Sequence, residues 1–176
     1  MKKILFAVFT IAIFTAAAMA QNADYSGDWK LDVSRSQLNP KAGIESMTLA
    51  VKQTEKELTV TKTTKRQQQE GSQGGRGMSL RFGGDGTSVF SLDATDLRSE
   101  TETPMGAVPV IRNGKKQSDG SLVLSTNITL VTPNGAMTLT TNEHWVLSAD
   151  GKTLTVKRDL ISPRGTTTDT FVYSKS

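Results

Sequence analysis

Glu143 and Arg158 are the residues whose type and place point most directly to chemistry. An arginine fork grips a carboxylate or phosphate through two parallel hydrogen bonds, and a neighbouring glutamate can hold that fork in place. The same pair can instead serve as a structural staple, since a carboxylate and a guanidinium facing each other on an apolar surface set register even when they add little stability. Both readings stay open from the residues alone. Trp145, Phe171 and Tyr173 would line a cavity beside the pair or fill it, as aromatic side chains commonly anchor cores. Leu124 and Ile128 fall on the same face and are candidate apolar contacts.

Other chemistries lack their parts. The chain of 176 residues contains one histidine and no cysteine. A nucleophilic triad would have to be built on His144, and a histidine- or cysteine-based zinc site has no ligand set. Glu143 with Asp169 could imitate the carboxylate pair that glycoside hydrolysis uses, but the sequence does not give their spacing and nothing else in the chain supports that reaction. The glycine-rich stretch 71–77 lacks the Lys-Ser/Thr of a phosphate loop and does not join a strand to a helix. No catalytic residue, metal or cofactor is therefore expected. Asn127-Ile128-Thr129 has only the spacing of a glycosylation sequon.

The elements that position these residues are strands. Residues 121–173 alternate apolar and polar side chains between two turn signals, Pro133-Asn134-Gly135 and Asp150-Gly151. With Asn134-Gly135 as a two-residue turn, Leu130 faces Leu139, Leu124 faces Trp145 and Leu122 faces Leu147. With Asp150-Gly151 as the next turn, Leu147 meets Leu154, Trp145 meets Val156, and Glu143 meets Arg158. Both turns place the same set on one face, and a one-residue slip would turn that set outward. A third turn at Arg164-Gly165 predicts Phe171 beside Arg158 and Tyr173 beside Val156. The outer face carries Thr, Ser, Asn and Lys, with His144 between Ser125 and Lys157. An outer-membrane barrel needs the opposite arrangement, apolar outside and polar within.

Upstream, strands are expected over 28–33, around Met47, Leu49 and Val51, and around Leu58 and Val60. Further strands are expected at 78–82, 89–92 and 108–116, with a loop or one short helical turn over 34–45. The polar, glycine-rich 66–77 reads as a loop, and 93–105 gives no clear pattern. Counting to a last strand at 168–173 yields about nine or ten strands and no convincing helical period, the pattern of an all-β sandwich or barrel.

Residues 1–20 read as a secretory signal peptide, with Lys2 and Lys3 ahead of an apolar run and an Ala18-Met19-Ala20 cleavage step. That run is shorter than the roughly 20 apolar residues of a spanning helix. Residues 21–176 form one domain, expected to be secreted or periplasmic without stable membrane insertion. Without Lys2 and Lys3 the 21 basic residues become 19 against 17 acids, a net charge of +2. That balance does not point to nucleic acid.

Gly27-Asp28-Trp29 opens the first strand as a Gly-x-Trp. With the antiparallel meander that follows, it resembles the lipocalin-like (calycin) barrels. The stretch WVLSADGKTLTV from Trp145 to Val156 is similar to small secreted bacterial members of that class. The resemblance implies a single antiparallel up-and-down β-barrel of about 8–10 strands. It implies that Trp29 plugs a closed end, with Arg164, Arg158 or Lys175 packed on it. The interior would be a cup for one small lipophilic or acidic amphipathic molecule, without catalysis. The alternative is a structural or protein-interaction module with a filled core. The long glycine-rich loop and the missing cysteines depart from the better-known members.

Overall fold

The computed structural model describes residues 23–67, 85–103, 106–132 and 135–176. The expected signal segment, the strand at 78–82 and most of the glycine-rich stretch lie outside them. The described residues build one ten-stranded antiparallel sheet. Its strands are β1 (Gly27–Leu31), β2 (Ile44–Gln53), β3 (Glu57–Arg66), β4 (Gly86–Ser91), β5 (Leu97–Thr103), β6 (Gly106–Lys116), β7 (Leu122–Thr132), β8 (Gly135–Leu147), β9 (Thr153–Ser162) and β10 (Gly165–Lys175). Each strand pairs with its neighbour in the chain except β4 and β5, which do not pair with each other, and β1 pairs with β10. The sheet thus curls into a nearly closed up-and-down barrel, with β4 and β5 as its two edges.

Alternation decides which side chains enter. Met47, Leu49 and Val51 of β2, Leu58 and Val60 of β3, and Leu154 and Val156 of β9 are all buried, while their neighbours in sequence are more exposed. The strand expected over 28–33 stops at Leu31. Asp32 Oδ1 accepts the backbone N–H groups of Ser34 and Arg35, which turns the chain and leaves Val33 exposed. The unread stretch 93–105 supplies β5, whose Arg98, Glu100 and Glu102 are exposed. Charges along an edge strand discourage pairing with other chains.

The barrel is stitched across its gap at one end. Asp93 bridges to Lys115, and the Ala94 N–H donates to the Gly114 carbonyl at 2.8 Å. A Cβ at Gly114 would lie 2.7 Å from the Ser91 carbonyl oxygen, so only glycine lets β4 approach β6 this closely. The Ser91 hydroxyl foremost, then the Thr95 hydroxyl and N–H, hold the Asp93 carboxyl down to about 2. Its folded value lies below the ordinary value of about 3.9. The stabilisation it contributes is therefore complete above about pH 4 and is lost as the pH falls through about 2. Asp93→Asn is expected to flatten part of the decline in urea midpoint between pH 4 and pH 2. Parallel curves for variant and wild type would show that this carboxylate does not hold the seam.

Candidate functional site

Register places the charged residues on the inner wall. The β8–β9 pairing is the expected one, with Leu147 opposite Leu154, Trp145 opposite Val156 and Glu143 opposite Arg158. The other two hairpins differ from expectation by one residue in each loop. Thr132 pairs with Gly135, so the register is not centred on Asn134-Gly135; residues 133 and 134 lie outside the described residues. Leu130 faces Met137, Leu124 faces Glu143 and Leu122 faces Trp145. His144 lies between Val123 and Lys157 instead of beside Ser125. A shift by one loop residue moves each pairing by two positions along the partner strand. Strands alternate with period two, so the same side chains still face inward.

The last hairpin has the larger consequence. Ser162 pairs with Gly165, which brings Asp169 beside Arg158 and moves Phe171 beside Val156 and Tyr173 beside Leu154. Glu143, Arg158 and Asp169 thus form one row across β8, β9 and β10. Arg158 Nη2 lies 2.6 Å from Asp169 Oδ2, in a pair whose side chains are mostly buried. Asp169 Oδ1 also accepts the Asn39 N–H at 2.7 Å, which ties the segment before β2 to the last strand. Glu143 accepts the Trp145 indole N–H at 2.9 Å. The holder of the arginine fork is therefore Asp169. Spacing alone favoured Glu143 because the third turn was centred one residue away.

Six of the expected contacts, namely Glu143, Arg158, Trp145, Phe171, Tyr173 and Leu124, line one cavity of about 70 Å³. Ile128 does not line it. It packs with Val108, Val110, Leu130 and Leu139 in a separate apolar cluster on β6–β8. The Arg158 guanidinium carbon stands 4.6 Å from the Phe171 ring centroid, a cation–π contact, and Phe171 and Tyr173 stack at 6.2 Å. The Tyr173 hydroxyl donates to Met47 Sδ at 3.1 Å, and burial pushes its ionisation well above the ordinary phenol value. Arg158 Nε is buried and has no hydrogen-bond partner among the described residues.

Two charged residues of the cavity were not among the expected contacts, Lys62 on β3 and Arg112 on β6. The Arg112 guanidinium donates to Ser99 Oγ at 3.0 Å, and burial holds it below its ordinary value. Burial also lowers Lys62, with Glu143 opposing and Arg158 reinforcing the shift. Their inward parity was readable, since Lys62 follows Leu58 and Val60 at spacing two and Arg112 follows Val108 and Val110. A cation on a strand more often marks its solvated face, and these two stand on the inner one.

The end of the barrel below the cavity is filled. Trp29 is fully buried, donates its indole N–H to the Tyr25 carbonyl at 2.9 Å, and lies 5.3 Å from Lys175 Nζ. Lys175 is thus the basic residue on Trp29, and Arg158 and Arg164 are not. Tyr25 closes the same end with its hydroxyl between the Gly120 and Trp145 carbonyls, each at 3.1 Å.

His144 is exposed, and its Nε2 lies 3.1 Å from Ser121 Oγ. Ser121 donates its hydroxyl proton to Asp119 at 2.7 Å. That order runs opposite to nucleophile activation, in which the histidine must accept the serine proton. Among the described residues no cluster of three metal-ligating side chains occurs. The architecture is a nearly closed antiparallel all-β barrel compatible with a calycin-like fold. Compared with models of known protein families and with curated protein sequences, the chain matches none.

Proposed function

We propose that the chain is an exported, lipocalin-like carrier that holds one small amphipathic molecule by an acidic head group and performs no catalysis. The observation that carries this reading is Arg158. It lines the cavity with its fork fixed by Asp169, while its buried Nε–H has no partner among the described residues. A buried donor of this kind is costly unless something accepts from it, and a ligand carboxylate or phosphate oxygen would do so. Arg112 adds a second permanent cation in the same cavity, and Glu143 is the only carboxylate among the described lining residues. The charge balance there favours an anion.

Size limits the ligand. A cavity of about 70 Å³ is small beside the roughly 300–1,000 Å³ of pockets that enclose a drug-sized ligand. That suits a compact head group, with any apolar tail lying along the barrel wall and not enclosed. The filled end around Trp29 and Tyr25 favours a second reading, a solid interaction module that takes no ligand.

Native mass spectrometry of protein purified from its own host tests the carrier reading first, by a co-purified mass beyond that of the chain. Calorimetric titration with octanoate then tests the site. A charged hydrogen bond is worth about 1.5–3 kcal/mol, so Arg158→Met is expected to weaken octanoate binding by about 10–100-fold while circular dichroism still reports a folded barrel. An Arg158→Met chain that does not fold would identify the arginine as a staple. A bare mass under gentle conditions, together with no octanoate heat, would favour the interaction module.

A further inference from the structure

Lys62 stands apart from the other charged residues of the cavity. Arg112 is held by Ser99, Glu143 by Trp145 and Arg158 by Asp169. Lys62 lines the same space and has no hydrogen-bond or ion-pair partner among the described residues. It lies on β3 opposite Leu49 of β2 and Gly86 of β4, with Val60 and Phe90 lining the cavity beside it. The groups acting on the amine are Arg158 and Arg66, which disfavour its charge, and Glu143 and Asp85, which favour it. Arg112 and Tyr173 complete the polar lining. Burial is the largest of these influences and favours the neutral amine. Glu143, the strongest of the charges, opposes that shift, and Arg158 reinforces it; desolvation is what makes such an amine nucleophilic.

We infer that Lys62 Nζ is a covalent capture site for an aldehyde or ketone ligand, which it holds as an imine inside the barrel. In this step the amine lone pair attacks the carbonyl carbon to give a carbinolamine. The carbon–oxygen bond then breaks, and the oxygen leaves as water with both amine hydrogens. A carbon–nitrogen double bond remains, and no oxidant or reductant is required. When the imine is protonated, Glu143 is the cavity carboxylate that balances its charge. The inference rests on the carrier reading of the cavity and names a carbonyl as the group held there.

The test uses the purified chain with substoichiometric hexanal and cyanoborohydride at pH 7, followed by peptide mapping. Reductive trapping at Lys62 is expected at least about tenfold faster than at the exposed Lys52 and Lys56. Its rate–pH curve should also be displaced toward lower pH than theirs. Lys62→Arg keeps the charge, removes the nucleophile, and should lose the selective adduct while remaining folded by circular dichroism. Equal labelling of all three lysines, or a selective adduct that persists in Lys62→Arg, overturns the inference. If octanoate binds and Lys62 is not selectively trapped, the imine site alone is refuted. If neither occurs, the carrier reading falls with it. Selective trapping without octanoate binding supports the imine site and argues against an acidic head group.

Discussion

Asp169→Ala is expected to lower folding stability by about 3 kcal/mol, read from urea unfolding at pH 7. The carboxylate is 5 % exposed and serves two partners, Arg158 at 2.6 Å and the Asn39 N–H at 2.7 Å. Its removal leaves a guanidinium enclosed without its counter-charge and frees the segment before β2 from β10. Removing one member of a buried pair costs more than the pair itself contributes, because the remaining charge keeps its desolvation penalty. The double variant Arg158→Met, Asp169→Asn should therefore be more stable than Asp169→Ala, and the cycle built from the corresponding single variants should show strong coupling. A loss below about 1 kcal/mol for Asp169→Ala would place the pair in the class of exposed ion pairs and remove the reason to regard Arg158 as preorganised.

Trp29→Ala is expected to cost about 4 kcal/mol, in the range for deleting a large buried aromatic. Trp29 has no exposed surface, packs across from Leu49 and keeps its indole hydrogen bond to Tyr25. Two effects add in the variant: the ring volume is lost from the filled end of the barrel, and the Tyr25 carbonyl loses its donor. Lys175 contributes much less. It is exposed and touches the ring only through a cation–π contact at 5.3 Å, so Lys175→Ala should cost only about 0.5–1 kcal/mol. Comparing the two unfolding midpoints separates the plug from its cover. Equal losses would mean that the lysine, and not ring burial, closes this end.

These two residues also mark how far local pattern reaches. Trp29 was legible as a core residue because it alternates with Leu31 at the start of a strand, and alternation survives any folding of the rest. The pairing of Glu143 with Arg158 was legible for a similar reason, since Asp150-Gly151 is a short turn whose loop length leaves one register. Arg164-Gly165 was not legible in the same way. Ser162 pairs with Gly165, and the one-residue difference in loop position exchanged Phe171 for Asp169 as the neighbour of Arg158. Parity was safe there and identity was not.

Local periodicity and turn composition were enough to establish an all-β chain, the antiparallel meander and which side chains face inward. Each of these depends on neighbours within one strand or one hairpin. The tertiary structure alone decided that β1 pairs with β10, that Lys175 covers Trp29, and that Ile128 belongs to a separate cluster. It alone brought Lys62 and Arg112 to the cavity of Glu143 and Arg158. For Lys62 that outcome follows from curling the sheet until β3 and β8–β9 line one interior, whereas Arg112 arrives along the wall, in register with Thr126 of β7 and Thr141 of β8. The distance across a barrel is set by closure of the whole sheet, and no run of neighbouring residues encodes it.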